Sequence, residues 1–252
     1  MRLIPRACGL LVGSACAVAA AQVPIEPDGR WRHLLGAGAS VASGNSDTAS
    51  LNLSIDSARA TVSDKWTAAA RALYARSAGM TTGERFSLAS QYNRDLNARW
   101  FAFGSGELLR DRPANLSSRA SVASGAGYHL ARDDDGFWDL TAGLGYARDR
   151  YVVATEVDGQ TRMRYGRAEL VLAEESRRQL SRSTAWQQKI GLQANLRDLG
   201  DYRAVLESNL AVAINRTLSL TVGLSYRYTA DPGTGFERGD ALFVTGVSYR
   251  VD

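Results

Sequence analysis

Leu218-Ser219-Leu220-Thr221-Val222-Gly223-Leu224-Ser225-Tyr226-Arg227-Tyr228-Thr229 is the stretch that decides the fold class. Large apolar side chains hold every even position, and small or polar ones every odd position. A strand sends successive side chains to opposite faces, so this segment has one oily face and one polar face. The pattern recurs upstream. Ala49, Leu51, Leu53 and Ile55 alternate with Ser50, Asn52, Ser54 and Asp56. Leu206, Ser208, Leu210, Val212 and Ile214 alternate with Val205, Glu207, Asn209, Ala211 and Ala213, and Ile190, Leu192, Ala194 and Leu196 continue it.

Two environments produce such faces. A soluble β-sandwich turns the oily face inward, whereas a membrane barrel turns it outward to lipid around a polar interior. Length decides between them. The alternating segments run about 10 to 14 residues, against about 5 to 6 for an ordinary strand and about 9 to 11 for a tilted membrane strand. The reading is an all-β, antiparallel, up-and-down transmembrane β-barrel of about twelve strands. The predicted spans are 32–43, 48–62, 66–76, 84–94, 98–110, 119–130, 137–149, 161–174, 184–196, 202–214, 218–230 and 240–251. Connections at 63–65, 95–97 and 215–217 read as tight polar turns, and those at 111–118, 150–160 and 231–239 as longer loops. Outer-membrane barrels have short periplasmic turns, longer external loops and both termini inside, which this order follows. The connections 131–136 and 176–183 are expected to be longer than a tight turn. Trp66, Tyr74, Trp138, Tyr146, Tyr226, Tyr228 and Tyr249 lie near strand ends, as interfacial aromatic girdles do.

Composition agrees. The 252 residues carry 22% charged residues and 10 tyrosines, which does not describe a disordered chain. No apolar run past residue 21 is long enough for a membrane helix. Arg2 and Arg6, a short apolar stretch and Ala19-Ala20-Ala21 before Gln22 read as a cleaved secretory signal peptide over 1–21. Segment 22–31 is then a short periplasmic lead-in and 32–252 the barrel, exported through the inner membrane to the cell outer membrane. Both cysteines fall in the leader, so the mature chain has neither a disulfide framework nor a cysteine metal site. All but two of the 30 basic residues are arginine, the lysines being Lys65 and Lys189. Arginine's fork suits phosphate and carboxylate, as on lipopolysaccharide. The basic residues are interleaved with acids and build no one-sign stripe, so nucleic acid is not an expected partner.

Several stretches together carry a family likeness. They are Gly44-Asn45-Ser46-Asp47-Thr48, Asp64-Lys65-Trp66, Glu84-Arg85-Phe86, Phe101-Ala102-Phe103-Gly104, Arg110-Asp111-Arg112, Gly125-Ala126-Gly127-Tyr128, Asp201-Tyr202-Arg203, Asp231-Pro232 and Gly235-Phe236. In order and spacing the chain, over about 32–251, resembles the YdiY-like, salt-induced outer-membrane proteins, whose shared domain has no known function. The resemblance implies an outer-membrane barrel and supplies no substrate or catalytic residue.

Chemistry is sparse. A lipid hydrolase needs a serine, a histidine and an orienting residue on the lipid-facing wall. His129 shares a face with Ser121, Ala123, Gly125 and Gly127 and should point into the lumen, while His33 sits at the periplasmic start. No catalytic residue is therefore assigned and no enzyme is expected. Neither histidine has metal-ligand spacing, and Asp133-Asp134-Asp135-Gly136 reads as a solvated turn, so neither metal nor cofactor is expected. By parity Asp56, Arg119, Arg167, Glu169, Lys189, Glu207 and Arg227 face inward, joined by Arg71 if Trp66 and Tyr74 face lipid. Such charges either pair into a polar plug or line a selective constriction. Phe101 and Phe103 share parity with Glu107, which suggests a bulge at Gly104–Gly106 and leaves the facing of the fifth strand open. The expected function is a narrow passive pore or envelope-stress barrel for small ions or solutes. The alternatives are a closed barrel binding lipopolysaccharide or a partner protein, and a lipid-modifying hydrolase. Outer-membrane lipid and the barrel-assembly machinery are the other expected partners.

Overall fold

The computed structural model describes residues 27–42, 48–157, 159–231 and 238–251. The predicted leader lies outside them. Twelve strands follow one another: β1 (Trp31–Ala42), β2 (Thr48–Ala60), β3 (Asp64–Ser77), β4 (Met80–Asp95), β5 (Trp100–Asp111), β6 (Leu116–Asp133), β7 (Gly136–Val157), β8 (Gln160–Gln179), β9 (Thr184–Asn195), β10 (Tyr202–Ala213), β11 (Leu218–Thr229) and β12 (Gly239–Val251). Each pairs antiparallel with the next, and β1 pairs with β12 through His33↔Val251 to Ala37↔Val247. Closure thus pairs the two edge strands with each other over five residues of each.

The alternation seen in sequence is the division between inside and outside. On β2, Leu51, Leu53 and Ile55 are exposed on the outer wall, while Ser50, Asn52 and Ser54 are buried inside. On β11, Leu220, Leu224 and Tyr226 are outside and Thr221 is wholly buried. The apolar surface is thus the outer one, the arrangement that lipid stabilises and water does not.

All five tryptophans stand at or near the first residue of an odd-numbered strand: Trp31, Trp66, Trp100, Trp138 and Trp186. They encircle the barrel end that carries both termini. Rings touch within this belt, Trp31 on Trp66 at 5.7 Å, Trp66 on Tyr92 at 6.3 Å and Trp100 on Tyr128 at 5.0 Å. Indole N–H groups of Trp66 and Trp186 donate to Ser90 and Ser208 at 2.8 and 2.9 Å. Tyr74, Tyr146, Tyr226 and Tyr228 lie toward the opposite, loop end, where Tyr202 and Tyr228 rings meet at 5.7 Å. Just before β1, Asp28 takes both terminal nitrogens of Arg32 and the backbone N–H of Arg30. These bonds, Arg32's first, hold its carboxyl down at about 2.

Three expectations need correction. The connections at 131–136 and 176–183 are short, because β6 runs on to Asp133 and β8 to Gln179, leaving only 134–135 and 180–183 outside strands. The charged ends Ala131-Arg132-Asp133 and Glu175-Ser176-Arg177-Arg178 hid these extensions, since charged and polar residues occupy both faces there and the apolar–polar alternation stops. The loop expected over 150–160 is mostly ladder, resumed as Thr155↔Arg162 to Val157↔Gln160 after a register shift. Finally, β5 has no bulge at Gly104–Gly106. Its register with β4 is continuous there, and the irregularity with β6 lies between Leu109 and Asp111. Phe101 and Phe103 therefore point inward with Glu107.

One turn carries strain. β3 and β4 are joined by Ala78-Gly79 alone, both at positive φ, 48° and 78°. A two-residue hairpin of this kind favours Asn-Gly, since a β-carbon in the left-handed region costs about 1–2 kcal/mol. Ala78→Asn is expected to raise the urea midpoint of unfolding in lipid vesicles, by about 0.5–1 kcal/mol. A lowered midpoint would mean that the turn is held by something else.

Candidate functional site

The interior is the place where charged groups converge. Toward the loop end Asp149 is fully buried, and Arg119 clasps it with Nε and Nη2 at 2.5 and 2.7 Å. Arg167 donates Nη1 to the same carboxylate at 2.9 Å and Nε to Glu169 at 2.7 Å. Arg203 donates to that Glu169 oxygen at 2.7 Å. Asn195 extends the network, donating to Tyr165 and Asp201 at 3.0 and 3.1 Å. Three guanidiniums and two carboxylates thus form one lattice along β6, β7, β8 and β10. Charge-assisted forks of this kind are strong only when every member is satisfied, because each buried charge has given up its hydration.

Below the lattice the walls differ. Neighbouring strands bring His129↔Asp139, Asp139↔Glu175, Glu175↔Lys189 and Lys189↔Glu207 directly opposite one another, a row crossing β6 to β10. Arg227 reaches Glu207 at 3.9 Å, and on the opposing wall Arg71 donates to Asp56 at 3.0 Å. Arg71, Arg227 and Glu207 keep 40%, 33% and 36% of their side-chain surface exposed. They do so on the inner face, so solvent reaches the middle of the bore.

The terminal end is narrower. Lys65 of β3 extends over the Phe137 ring, 4.5 Å from its centroid, to within 3.9 Å of Glu175 on β8. These strands are five places apart around the barrel, so the contact crosses the bore. Beside it lies a small recess lined by Gln91, Asn93, Phe101, Asp139, Glu175 and Lys189 among others. His129 stands behind two of these residues. It donates Nδ1 to Asp139 at 2.7 Å, and its ring stacks on Phe101 at 4.7 Å. Phe101 fits because its neighbour is glycine: a β-carbon at Gly127 would fall 2.0 Å from the ring.

All eight residues singled out by parity lie on the inner face, in different company. Arg119, Arg167 and Glu169 belong to the buried lattice, whereas Asp56, Arg71, Lys189, Glu207 and Arg227 surround the wetter middle. Sequence reasoning missed Asp149, Glu175, Lys65 and Arg203. Asp149 and Glu175 fell at or just beyond predicted strand ends and Lys65 within a predicted turn. Arg203 shares parity with Glu207, so the same rule could have found it. On the outer wall the structure adds a pair no spacing announced, His33 Nδ1 and Ser57 Oγ at 2.8 Å. Among the described residues no carboxylate contacts that imidazole. No group of three His, Cys, Asp or Glu side chains is placed to hold a metal ion there either.

The model of the family described as "Protein of unknown function, DUF481" matches residues 35–251. The chain belongs to the DUF481 family. In this member the matched region takes in all twelve strands, the first from Leu35 onward. A search of curated proteins found no match. Among solved structures, the DUF481 barrel is similar to the translocator domain of the autotransporter NalP from Neisseria meningitidis. The identity is 15%, over 88% of this chain and 87% of that one, with a TM-score of 0.46. It is also similar to the NanC porin, at 11% identity over 87% and 96%, with the same TM-score of 0.46.

Proposed function

We propose that this DUF481 protein is an outer-membrane barrel whose interior is a narrow, passive, water-filled passage for small ions or solutes. The observation that carries this reading is the exposure of Arg71, Arg227 and Glu207 inside a closed wall. Charges that only plugged the bore would be buried and saturated, as Asp149 and Arg167 are. Half-wet charges of both signs cost little desolvation and set a field across moving ions. The same reading suits the salt-induced group that the sequence resembles. With short turns at the terminal end, the termini lie in the periplasm and the loop end outside. The Lys65–Glu175 contact is then the periplasmic constriction.

Single-channel recording of the refolded mature protein in a planar bilayer, under a salt gradient, tests it. Discrete steps are expected. Arg71→Gln and Arg227→Gln should shift the reversal potential toward cation preference, and Asp56→Asn in the opposite direction. A silent barrel, shown to be folded by strand-rich circular dichroism and by altered gel mobility without boiling, would overturn the passage.

A further inference from the structure

The outer wall carries three arginines that no described residue neutralises. Arg148 and Arg150 lie on β7 two residues apart, and Arg150 stands directly opposite Arg164 of β8. All three are exposed. Among the described residues none makes an ion pair or hydrogen bond. Like charges directly opposite on neighbouring strands repel, so the placement weakens the sheet unless an anion sits between them. Arg110, also outward and near the loop end, shows the usual remedy: Glu84 holds it at 3.1 Å.

The surroundings suit an anion. The ladder places Ser118 and Ala120 opposite Arg150 and Arg148 on one side, and Gly166 opposite Arg148 on the other. These are small residues, so the guanidiniums stand over a shallow floor. The Tyr146 hydroxyl leans over Gly166, where an added β-carbon would fall 2.3 Å from it. Three guanidiniums and a phenol therefore stand side by side on neighbouring strands, the arginines on the loop side of Tyr146.

We propose that Arg148, Arg150, Arg164 and Tyr146 form a clamp for a phosphate group of lipopolysaccharide in the outer leaflet. Position selects the lipid. The patch lies on the lipid-facing side at headgroup depth, and a guanidinium there matches phosphate by two parallel hydrogen bonds. The site rests on the outer-membrane orientation given above and not on conduction.

The test uses the refolded mature protein in neutral detergent micelles, titrated with diphosphoryl lipid A. Replacing all three arginines by glutamine should weaken binding roughly a hundredfold, at about fivefold per arginine near a charged surface. Arg110→Gln should leave it unchanged, and dephosphorylated lipid A and phosphatidylcholine should bind neither protein. Equal loss in Arg110→Gln, equal binding of dephosphorylated lipid A, or full competition by millimolar inorganic phosphate would overturn the clamp. Stability supplies a second readout. Without lipid A, Arg150→Gln should unfold at higher urea than the wild type because a repulsion is gone, and with lipid A the order should reverse. An unreversed order would also sink the proposal. A barrel silent in bilayers that still binds lipid A through these arginines would refute the passage and keep the clamp.

Discussion

Asp149→Ala is expected to remove about 3–5 kcal/mol of unfolding free energy, measured by urea in lipid vesicles, and to prevent refolding if the barrel has less than that to lose. Asp149 has no exposed surface and takes three charge-assisted bonds, two from Arg119 and one from Arg167. Its loss strands two guanidiniums, one of them 6% exposed. Glu169 cannot compensate, since the one oxygen of it bonded here already serves Arg167 and Arg203. Removing the lattice as a unit should cost much less, because well-packed apolar groups often replace a buried ion network without penalty. A variant with Arg119, Asp149 and Arg167 changed to Met, Leu and Met should therefore be more stable than Asp149→Ala alone. A loss below about 1 kcal/mol in the single variant would mean that water already reaches the carboxylate and that the lattice does not brace the wall.

The second large effect is steric. Gly127→Val should cost about 3 kcal/mol or more, the upper range for forcing atoms into a packed interior. The clash falls on the far end of the Phe101 ring, Cζ and both Cε atoms, and that ring is stacked on His129. Phe101 is 1% exposed and has no free direction in which to swing. Phe101→Ala alone should cost about 3–5 kcal/mol through the cavity it leaves. Combined with Gly127→Val it should cost less than the two separately, with a coupling of about 1–3 kcal/mol. Strict additivity would show that ring and glycine do not share space, and would move the inward packing of β5 elsewhere. The double variant also lowers the wall beside His129, so its conductance should exceed that of the wild type.

The facing of β5 illustrates what sequence parity could not resolve. Phe101, Phe103 and Glu107 share one parity, and a phenylalanine inside a polar barrel looks like an error until its neighbours are known. Gly127 and Gly143 make room, and those glycines lie on β6 and β7, more than twenty residues away in sequence. Strand ends were hidden for a different reason. Toward the terminal end of β8 charged and polar residues take both faces, so Glu175 and Arg177 belong to a strand whose apolar–polar alternation has already faded. The arginine clamp escaped notice because Arg150 fell in the stretch read as the loop 150–160, so its register against Arg164 of the strand predicted over 161–174 could not be read. Arg148 and Arg164 by themselves are two outward charges on different strands.

The amino-acid order by itself determined the all-β class, about twelve strands, the oily outer wall and the inward facing of Asp56, Arg119, Arg167, Glu169, Lys189, Glu207 and Arg227, with Arg71 following once Trp66 and Tyr74 are placed on the lipid side. Those properties follow from a two-residue period, which is local and survives any uncertainty about partners. Only the tertiary structure decided which inward charges saturate one another and which stay wet. That division depends on register between strands and on distance across the bore. Lys65 reaches Glu175 across the bore because the sheet curls round, and Arg203 reaches Glu169 over the intervening β9, contacts between residues far apart in the chain. The register of the β7–β8 hairpin places Arg150 against Arg164, a repulsion that no single strand contains and that a lipid phosphate would relieve.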